Sequence, residues 1–221
     1  MGGVTLPTLN EALRYMQAGN ENDTREKAEQ ALKLLREVSA PKYIYRIFPI
    51  EKKESGFELK GSSVVLRGNT ASTMLGECHS AVLLMCTLGF AFEAQLRTCQ
   101  ARNMADALIL DACGSALVEE GCDDAERELA DRLPGKFLTD RFSPGYGDLP
   151  LSLQSDISFA LNGEKLLGVH LNESMLFNPC KTVSAIIGVA DGVQPARIRG
   201  CDNCKMQNIC QIRKRGGSCG K

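Results

Sequence analysis

The sequence is poor in the residues that mark several common classes of protein. Its 221 residues include no tryptophan and two histidines, and aromatic residues make up 5% of the chain. Basic and acidic residues nearly balance, at 26 against 27, so the overall charge favours neither nucleic acid nor an anionic membrane as a partner. His79 and His170 lie far apart without a second ligand nearby, which favours structural roles over metal binding for both.

Long apolar runs are missing as well. No stretch approaches the roughly 20 residues that span a bilayer, and the opening Met-Gly-Gly-Val lacks the basic start and apolar segment of a signal peptide. These absences predict a cytoplasmic protein. The length suits one sizeable domain, which we place at residues 1–196, followed by a compositionally distinct tail at residues 197–221.

Cysteine, by contrast, is abundant, with ten in the chain. Because the cytosol keeps thiols reduced, these cysteines are better interpreted as thiols or metal ligands than as disulfides. Six of them lie in apolar or helical segments, where cysteine behaves as a small hydrophobic residue. They are Cys78, Cys86, Cys99, Cys113, Cys122 and Cys180.

The other four cysteines lie in the tail, at Cys201, Cys204, Cys210 and Cys219. A C-x-x-C pair brings two sulfurs to one metal, and two further cysteines complete a tetrahedral thiolate set. Seven lysines and arginines in the same segment would offset the negative charge of the thiolates. The tail therefore predicts a metal site, with zinc and an iron–sulfur cluster as equal alternatives. A metal-free redox-sensitive tail and a basic zinc knuckle that contacts nucleic acid are the other interpretations.

Hydrophobic patterning predicts a mixture of helices and strands. Thr8 and Glu11 have the spacing of a capping box and predict the start of a first helix. Residues 43–50 and 62–66 are rich in β-branched and aromatic side chains on either side of a polar turn, which predicts a hairpin or two early strands. The compact apolar run at residues 81–86 predicts a buried strand.

The most regular helical pattern starts at Ala105, from which apolar residues, Leu108 among them, recur at spacings of three and four as far as Leu117 and predict a helix with one buried face. Residues 125–133 predict a charged helical continuation. Gly114 and Ser115 are small residues on this helix, and they favour close packing of another element over contact with a ligand.

Residues 141–150 read Arg-Phe-Ser-Pro-Gly-Tyr-Gly-Asp-Leu-Pro and predict a shaped loop. Gly145 and Gly147 can adopt positive φ and let a ligand approach the backbone, while the two prolines restrict the chain around them. Arg141 supplies a planar, permanently charged fork suited to a carboxylate or phosphate. Taken by itself, the motif is compatible with either an ordinary turn or a ligand loop.

This loop resembles the R-x-x-P-G-Y loop of the activation domain of vitamin B12-dependent methionine synthase. The segment at residues 171–188, which begins Leu-Asn-Glu-Ser, is similar to that family's second signature, an L-T-E-S segment followed by a proline and a strand like S-V-S-G. The two segments keep the family's order and approximate spacing, and the similarity extends over residues 103–190. The chain thus resembles a free-standing form of that domain with an added cysteine tail. The resemblance implies an α+β fold, in which several helices pack on a twisted, mainly antiparallel sheet and the Arg141 loop lies at the rim of that sheet.

In that family, the domain binds S-adenosylmethionine beside a corrinoid that has been oxidised to cob(II)alamin. An external reductant supplies an electron, and S-adenosylmethionine supplies the methyl group that traps the reduced cobalt. The resemblance implies that this chain supports reductive methylation of cobalamin on a partner, either a B12-dependent methionine synthase or a related methyltransferase. The chain would be an accessory component, because the cobalt lies in another domain. The implied reductant is a flavodoxin- or ferredoxin-like protein.

The resemblance also implies the roles of the loop residues. Arg141 would bind the carboxylate of the methyl donor, the backbone at Ser143 and Gly145 would contact its amino acid or adenosine portion, and Tyr146 would face the corrinoid. No residue of this chain is assigned a catalytic role. Asp148 departs from the family's pattern, which alters the edge that faces the corrinoid.

Two further departures affect the implied methyl-donor site. The family has a glutamate where this chain has Ser115, with Glu119 and Glu120 one turn later, and a tyrosine where this chain has Ile187. They favour an alternative in which the protein is a scaffold or electron-relay partner of a corrinoid protein, acting through its tail without binding a methyl donor. A second alternative is a structural zinc protein whose similarities to the family are coincidental.

Overall fold

The computed structural model of the chain describes residues 6–16 and 22–194. Within these residues the helices are α1 (Leu6–Tyr15), α2 (Asn22–Val38), α3 (Gly68–Leu75), α4 (Gly89–Arg102), α5 (Met104–Arg132), α6 (Leu153–Leu161) and α7 (Gly163–Leu167). The strands are β1 (Lys42–Lys53), β2 (Gly56–Leu59), β3 (Val65–Leu66), β4 (Ser80–Thr87), β5 (Phe137–Leu138), β6 (His170–Leu171), β7 (Phe177–Asn178) and β8 (Thr182–Ala190). The predicted cysteine tail, with Cys201, Cys204, Cys210 and Cys219, lies outside the described residues.

Six strands form one sheet in the order β3-β2-β1-β4-β8-β5, and β6 pairs with β7 in a separate hairpin. The pairs β1–β2, β2–β3 and β5–β8 are antiparallel. The amides flanking β4 show the same for β4–β8, because His79 donates to Val189 and Leu88 donates to the carbonyl of Lys181. The predicted α+β fold with a mainly antiparallel sheet is confirmed.

The described residues divide into two compact units. One comprises the residues up to Tyr45 together with Leu84–Glu128 and Leu161–Ser184, and it contains α1, α2, α4 and most of α5. The other comprises Arg46–Leu83, Leu129–Ala160 and the residues from Ala185 onward, and it contains α3, α6 and the loop at residues 141–150. The placement of one domain at residues 1–196 stays a prediction.

In the first unit, the two helical segments expected after residue 103 form a single helix of 29 residues, α5. A Cβ at Gly114 would overlap the ring of Phe92 from α4, so that ring packs directly on the backbone of α5. This contact confirms that the small residue serves close packing. Leu108, which the apolar spacing placed on the buried face, is instead 65% exposed.

The expected capping box at Thr8 is wrong. Helix α1 begins at Leu6, so Thr8 lies within its first turn, where the side chain is buried. Its hydroxyl donates to the Glu120 carboxylate at 2.7 Å, and Arg36 donates to the same oxygen at 2.6 Å. A tertiary hydrogen bond from α1 to α5 has replaced the local cap.

Of the two alternatives predicted for residues 43–66, two strands do form, but they do not pair with each other as a hairpin. Strand β1 continues through the polar residues 51–53, the turn shrinks to two residues, and β2 intervenes before β3. These polar residues remain in a strand because their side chains are exposed while their backbone pairs with β2. Lys53 adds an ion pair to Glu58 at 2.5 Å across the two strands.

Four of the six cysteines outside the tail, Cys78, Cys86, Cys113 and Cys122, are buried, and within the described residues none of the six is in a disulfide. Burial raises the pKa of Cys113 to about 12 and that of Cys78 to about 11, which keeps these thiols protonated and unreactive. Within residues 6–16 and 22–194, no helix combines the length and apolar character needed to cross a membrane.

We expect Gly114→Ala to destabilise the protein by roughly 1–3 kcal/mol, because the added methyl group overpacks the contact with Phe92. Urea unfolding of the purified variant measures this change in free energy. In a Phe92→Leu background, the same substitution should lower the free energy of unfolding by less, because the aromatic ring that meets the added methyl group is absent. Stabilisation by about 1 kcal/mol, the gain at an uncrowded helical glycine, would contradict the packing account.

Candidate functional site

The loop at residues 141–150 is joined to the edge of β8 at its start. The Phe142 amide donates to the Ile186 carbonyl at 3.0 Å, and the Ile186 amide donates back at 2.7 Å. Phe142 is 2% exposed and fixes the first part of the loop in the core of the second unit. Arg141, directly before it, is 8% exposed, which is unusual for an arginine.

The middle of the loop folds back on itself through three backbone hydrogen bonds. Tyr146 donates to Ser143 at 3.1 Å, Leu149 donates to Tyr146 at 3.0 Å, and Gly145 donates to Leu149 at 3.0 Å. Gly145 and Gly147 have φ values of +87° and +59°, the left-handed conformation expected from the sequence. The result is a compact turn with its backbone bonds closed internally.

Asp148 joins this turn to the N-terminus of α3. Its carboxylate accepts hydrogen bonds from the backbone amides of Asn69 at 2.5 Å and Thr70 at 3.0 Å. Arg67, at the N-cap position of α3, provides no side-chain cap, so Asp148 performs that function from a distant part of the chain. The hydrogen bonds from the Thr70 side chain, the Thr70 backbone and the Asn69 backbone lower the pKa of Asp148 to about 2.

Gly147 lies directly against the same helix, because a Cβ there would overlap the Thr70 hydroxyl. The sequence resemblance implied that Asp148 alters the edge that faces the corrinoid. In the structure, its carboxylate instead accepts hydrogen bonds from the first amides of α3. No local signal pointed to this role, since the partner amides lie 78 and 79 residues earlier.

The four sequence-predicted loop residues differ in exposure. Arg141 is buried, Ser143 is half-buried, and Gly145 is exposed. Tyr146 is 61% exposed, so its ring can contact a molecule outside this chain. A buried cation and an exposed aromatic therefore lie five residues apart in one tightly hydrogen-bonded loop.

The two departures from the family pattern have different surroundings. Ile187 is fully buried in β8. Ser115, on α5 of the first unit, accepts a hydrogen bond from the Lys181 ammonium at 2.8 Å. Lys181 also pairs with Asp111 at 3.0 Å and lies 5.9 Å from the centre of the Phe92 ring. A lysine cation thus lies beside Ser115, which the motif comparison had not indicated.

Neither histidine belongs to a cluster of potential metal ligands in the described part of the chain. His79 shares a hydrogen bond with Ser80 at 3.0 Å, and His170 lies 3.4 Å from Glu164. Among residues 6–16 and 22–194, no group of three or more His, Cys, Asp and Glu side chains is placed to hold a metal ion. The metal site at Cys201, Cys204, Cys210 and Cys219 stays a prediction.

The described residues thus combine a mainly antiparallel sheet and packed helices with a glycine-rich arginine loop. The structure is similar to the crystal structure of the MetH reactivation domain bound to AdoHcy. The TM-score is 0.55 at 15% sequence identity, and the match covers 98% of this chain and 78% of that chain. The fold implied by the sequence motifs is therefore confirmed. No family model and no curated protein matches the sequence.

We expect Asp148→Ala to destabilise the protein at neutral pH, because two amides of α3 lose their acceptor. The pKa of Asp148 is lowered on folding, so its stabilisation is complete above the unfolded pKa of about 3.9 and is lost as pH falls toward the folded value of about 2. The difference between wild type and Asp148→Ala in urea midpoint should therefore be constant near neutrality and shrink in acid.

Asp148→Asn is the matched control, because it keeps an acceptor oxygen without a titrating charge. The difference between the Asn and Ala variants should not change with pH across the acid range. If the difference in urea midpoint between wild type and Asp148→Ala stayed the same in acid, the carboxylate charge would not be what stabilises α3.

Proposed function

We propose that this chain binds S-adenosylmethionine through the loop at residues 141–150 and supports reductive methylation of a corrinoid carried by a partner protein. The observation that carries the proposal is a coincidence of two independent similarities. The R-x-x-P-G-Y motif resembles a methyl-donor loop, and the chain that contains it has the fold of the MetH reactivation domain, which was solved with AdoHcy. The motif is a local feature of ten residues, whereas the fold involves nearly the whole chain.

We assign to Arg141 the role of binding the carboxylate of the methyl donor. Its guanidinium stays charged at any physiological pH and presents a fork that matches a carboxylate in two parallel hydrogen bonds. Because the side chain is buried, such bonds are screened less by water than bonds at the surface.

The loop backbone supports this assignment. Within the described residues, the Ser143 amide and the Gly145 carbonyl form no hydrogen bond, so one donor and one acceptor are open to a ligand. The Gly145 amide is already used by Leu149, which leaves its carbonyl as the group that would contact the donor. The absence of a side chain at Gly145 lets the ligand approach closely.

The partner would contact the exposed Tyr146 ring and bring its cobalt to the bound methyl donor. The donor would supply the methyl group, and a flavodoxin- or ferredoxin-like protein would supply one electron to the cobalt. This chain contributes binding and orientation of the donor, so we classify it as an accessory component of methionine synthase or of a related methyltransferase.

Calorimetric titration with S-adenosylmethionine tests the proposal. We expect Arg141→Lys to weaken binding at least about tenfold, because lysine keeps the charge but loses the fork. Thermal unfolding of the same variant verifies that it is folded. Tyr146→Ala should change the affinity for S-adenosylmethionine by less than about threefold, because the ring is exposed and is assigned to the partner.

When immobilised Tyr146→Ala is incubated with a cell extract, it should retain less corrinoid protein than immobilised wild type does. Absence of S-adenosylmethionine binding by wild type, with and without a corrinoid protein, would contradict the proposal. Equal affinity in the folded Arg141→Lys variant would contradict the role of Arg141.

One observation favours the second candidate function, a scaffold or electron relay that acts through the tail without a methyl donor. Where the family has a glutamate, this chain has Ser115 with the Lys181 ammonium at 2.8 Å. Replacing an anion by a serine bonded to a cation weakens attraction for a ligand that carries a sulfonium and an ammonium group. Glu120 does not restore the carboxylate, because it pairs with Arg36.

Metal analysis of the anaerobically purified protein tests the tail in either candidate. Four thiolates predict a bound metal, which Cys204→Ser should lose, while Cys180→Ser, an exposed cysteine outside the tail, should retain it. Iron with acid-labile sulfide would support electron relay, and zinc alone would contradict it. Absence of any metal would contradict the predicted site.

A further inference from the structure

A pocket lies in the first unit, and no residue of the loop at residues 141–150 lines it. It has a volume of about 460 Å³ and is bounded by α2, α4 and α5. This volume is within the range of about 300–1,000 Å³ typical of sites for small organic molecules.

One part of the pocket wall is apolar. Leu34 from α2 and Ile109 and Leu110 from α5 contribute to it, with Cys99 from α4. Leu34 is 42% exposed, so a leucine side chain faces solvent at this position rather than the core. Covering that surface with an apolar group would gain hydrophobic free energy.

The polar part of the pocket wall includes an arginine without a side-chain partner among the described residues. Arg102, in the last turn of α4, forms no side-chain hydrogen bond or ion pair with the described residues, and the same holds for Gln30 and Gln95 in the pocket lining. Lys27 and Asp106 also line the pocket, but Lys27 pairs with Asp23 at 3.1 Å and lies 3.7 Å from Asp106. The lining therefore has one positive charge without a partner.

The groups around Arg102 restrict how an anion could bind. The side-chain oxygen of Asn103 accepts hydrogen bonds from the backbone amides of Ala105 at 2.9 Å and Asp106 at 3.5 Å. Its side-chain nitrogen donates to the Asp106 carboxylate at 2.8 Å. The start of α5 thus has its own cap. An anion would have to be held by the Arg102 guanidinium and the two glutamine amides.

We propose that this pocket binds a small organic anion with an apolar body, such as a medium-chain carboxylate. Arg102 would hold the carboxylate through charge-assisted hydrogen bonds, and Leu34, Ile109 and Leu110 would cover the chain. The inference is independent of the proposed function, because it uses none of the loop residues 141–150.

Equilibrium dialysis of the full-length protein against radiolabelled decanoate, below its micelle concentration, tests the proposal. We expect saturable binding of one decanoate per chain. Inorganic phosphate, which has the charge without the body, should not compete, and decanol, which has the body without the charge, should compete at least about tenfold more weakly than unlabelled decanoate.

Matched variants locate the site. Arg102→Ala should weaken decanoate binding at least about tenfold, whereas Arg97→Ala, an exposed arginine on the same helix outside the pocket, should leave the affinity unchanged. Leu34→Gln should weaken binding, whereas Leu108→Gln, at a more exposed leucine outside the lining, should not. Arg141→Ala should leave decanoate binding intact, which separates this site from the methyl-donor loop.

No saturable binding by wild type would overturn the proposal. Equal loss in Arg102→Ala and Arg97→Ala would also overturn it, because general surface charge would then explain the binding. Competition by decanol as strong as that by decanoate would show that the pocket does not select an anion.

Discussion

The contact between Asp148 and the N-terminus of α3 is the interaction on which the shape of the candidate loop depends most. The carboxylate caps two amides of α3 and so fixes the C-terminal end of the loop, while Phe142 fixes the other end on β8. Gly147 lets the two segments approach, because any Cβ there would meet Thr70. With both ends held, the turn from Ser143 to Leu149 needs little ordering when a ligand binds.

The proposed function assigns two tasks to these ten residues. Arg141 is withdrawn from solvent, where its charge acts strongly on a small ligand, and Tyr146 projects outward, where it can contact a large partner. A loop that binds a small molecule and also presents that molecule to another protein needs both features. Ser115, with the Lys181 ammonium beside it, departs from the family pattern implied by the motifs.

Elements determined by nearby residues were predictable from the sequence. The compact run of β4 and the left-handed glycines of the loop depend on composition and on local backbone preferences. The family motifs added the fold class, which patterning alone would have left open among several α+β arrangements.

Contacts between distant residues were not predictable in this way. Thr8 has the sequence pattern of a helix cap, but Glu120, 112 residues away, offers its hydroxyl a tertiary partner. Asp148 likewise has no local indication that it caps α3. The polar residues of β1 look like a turn in the sequence, because composition does not reveal their pairing with β2.

The central claim, that residues 141–150 hold the methyl donor, is tested most directly by amide hydrogen exchange with and without S-adenosylmethionine. The account predicts slower exchange in this loop on addition of the ligand, and binding that leaves the loop unchanged while protecting another segment would contradict it.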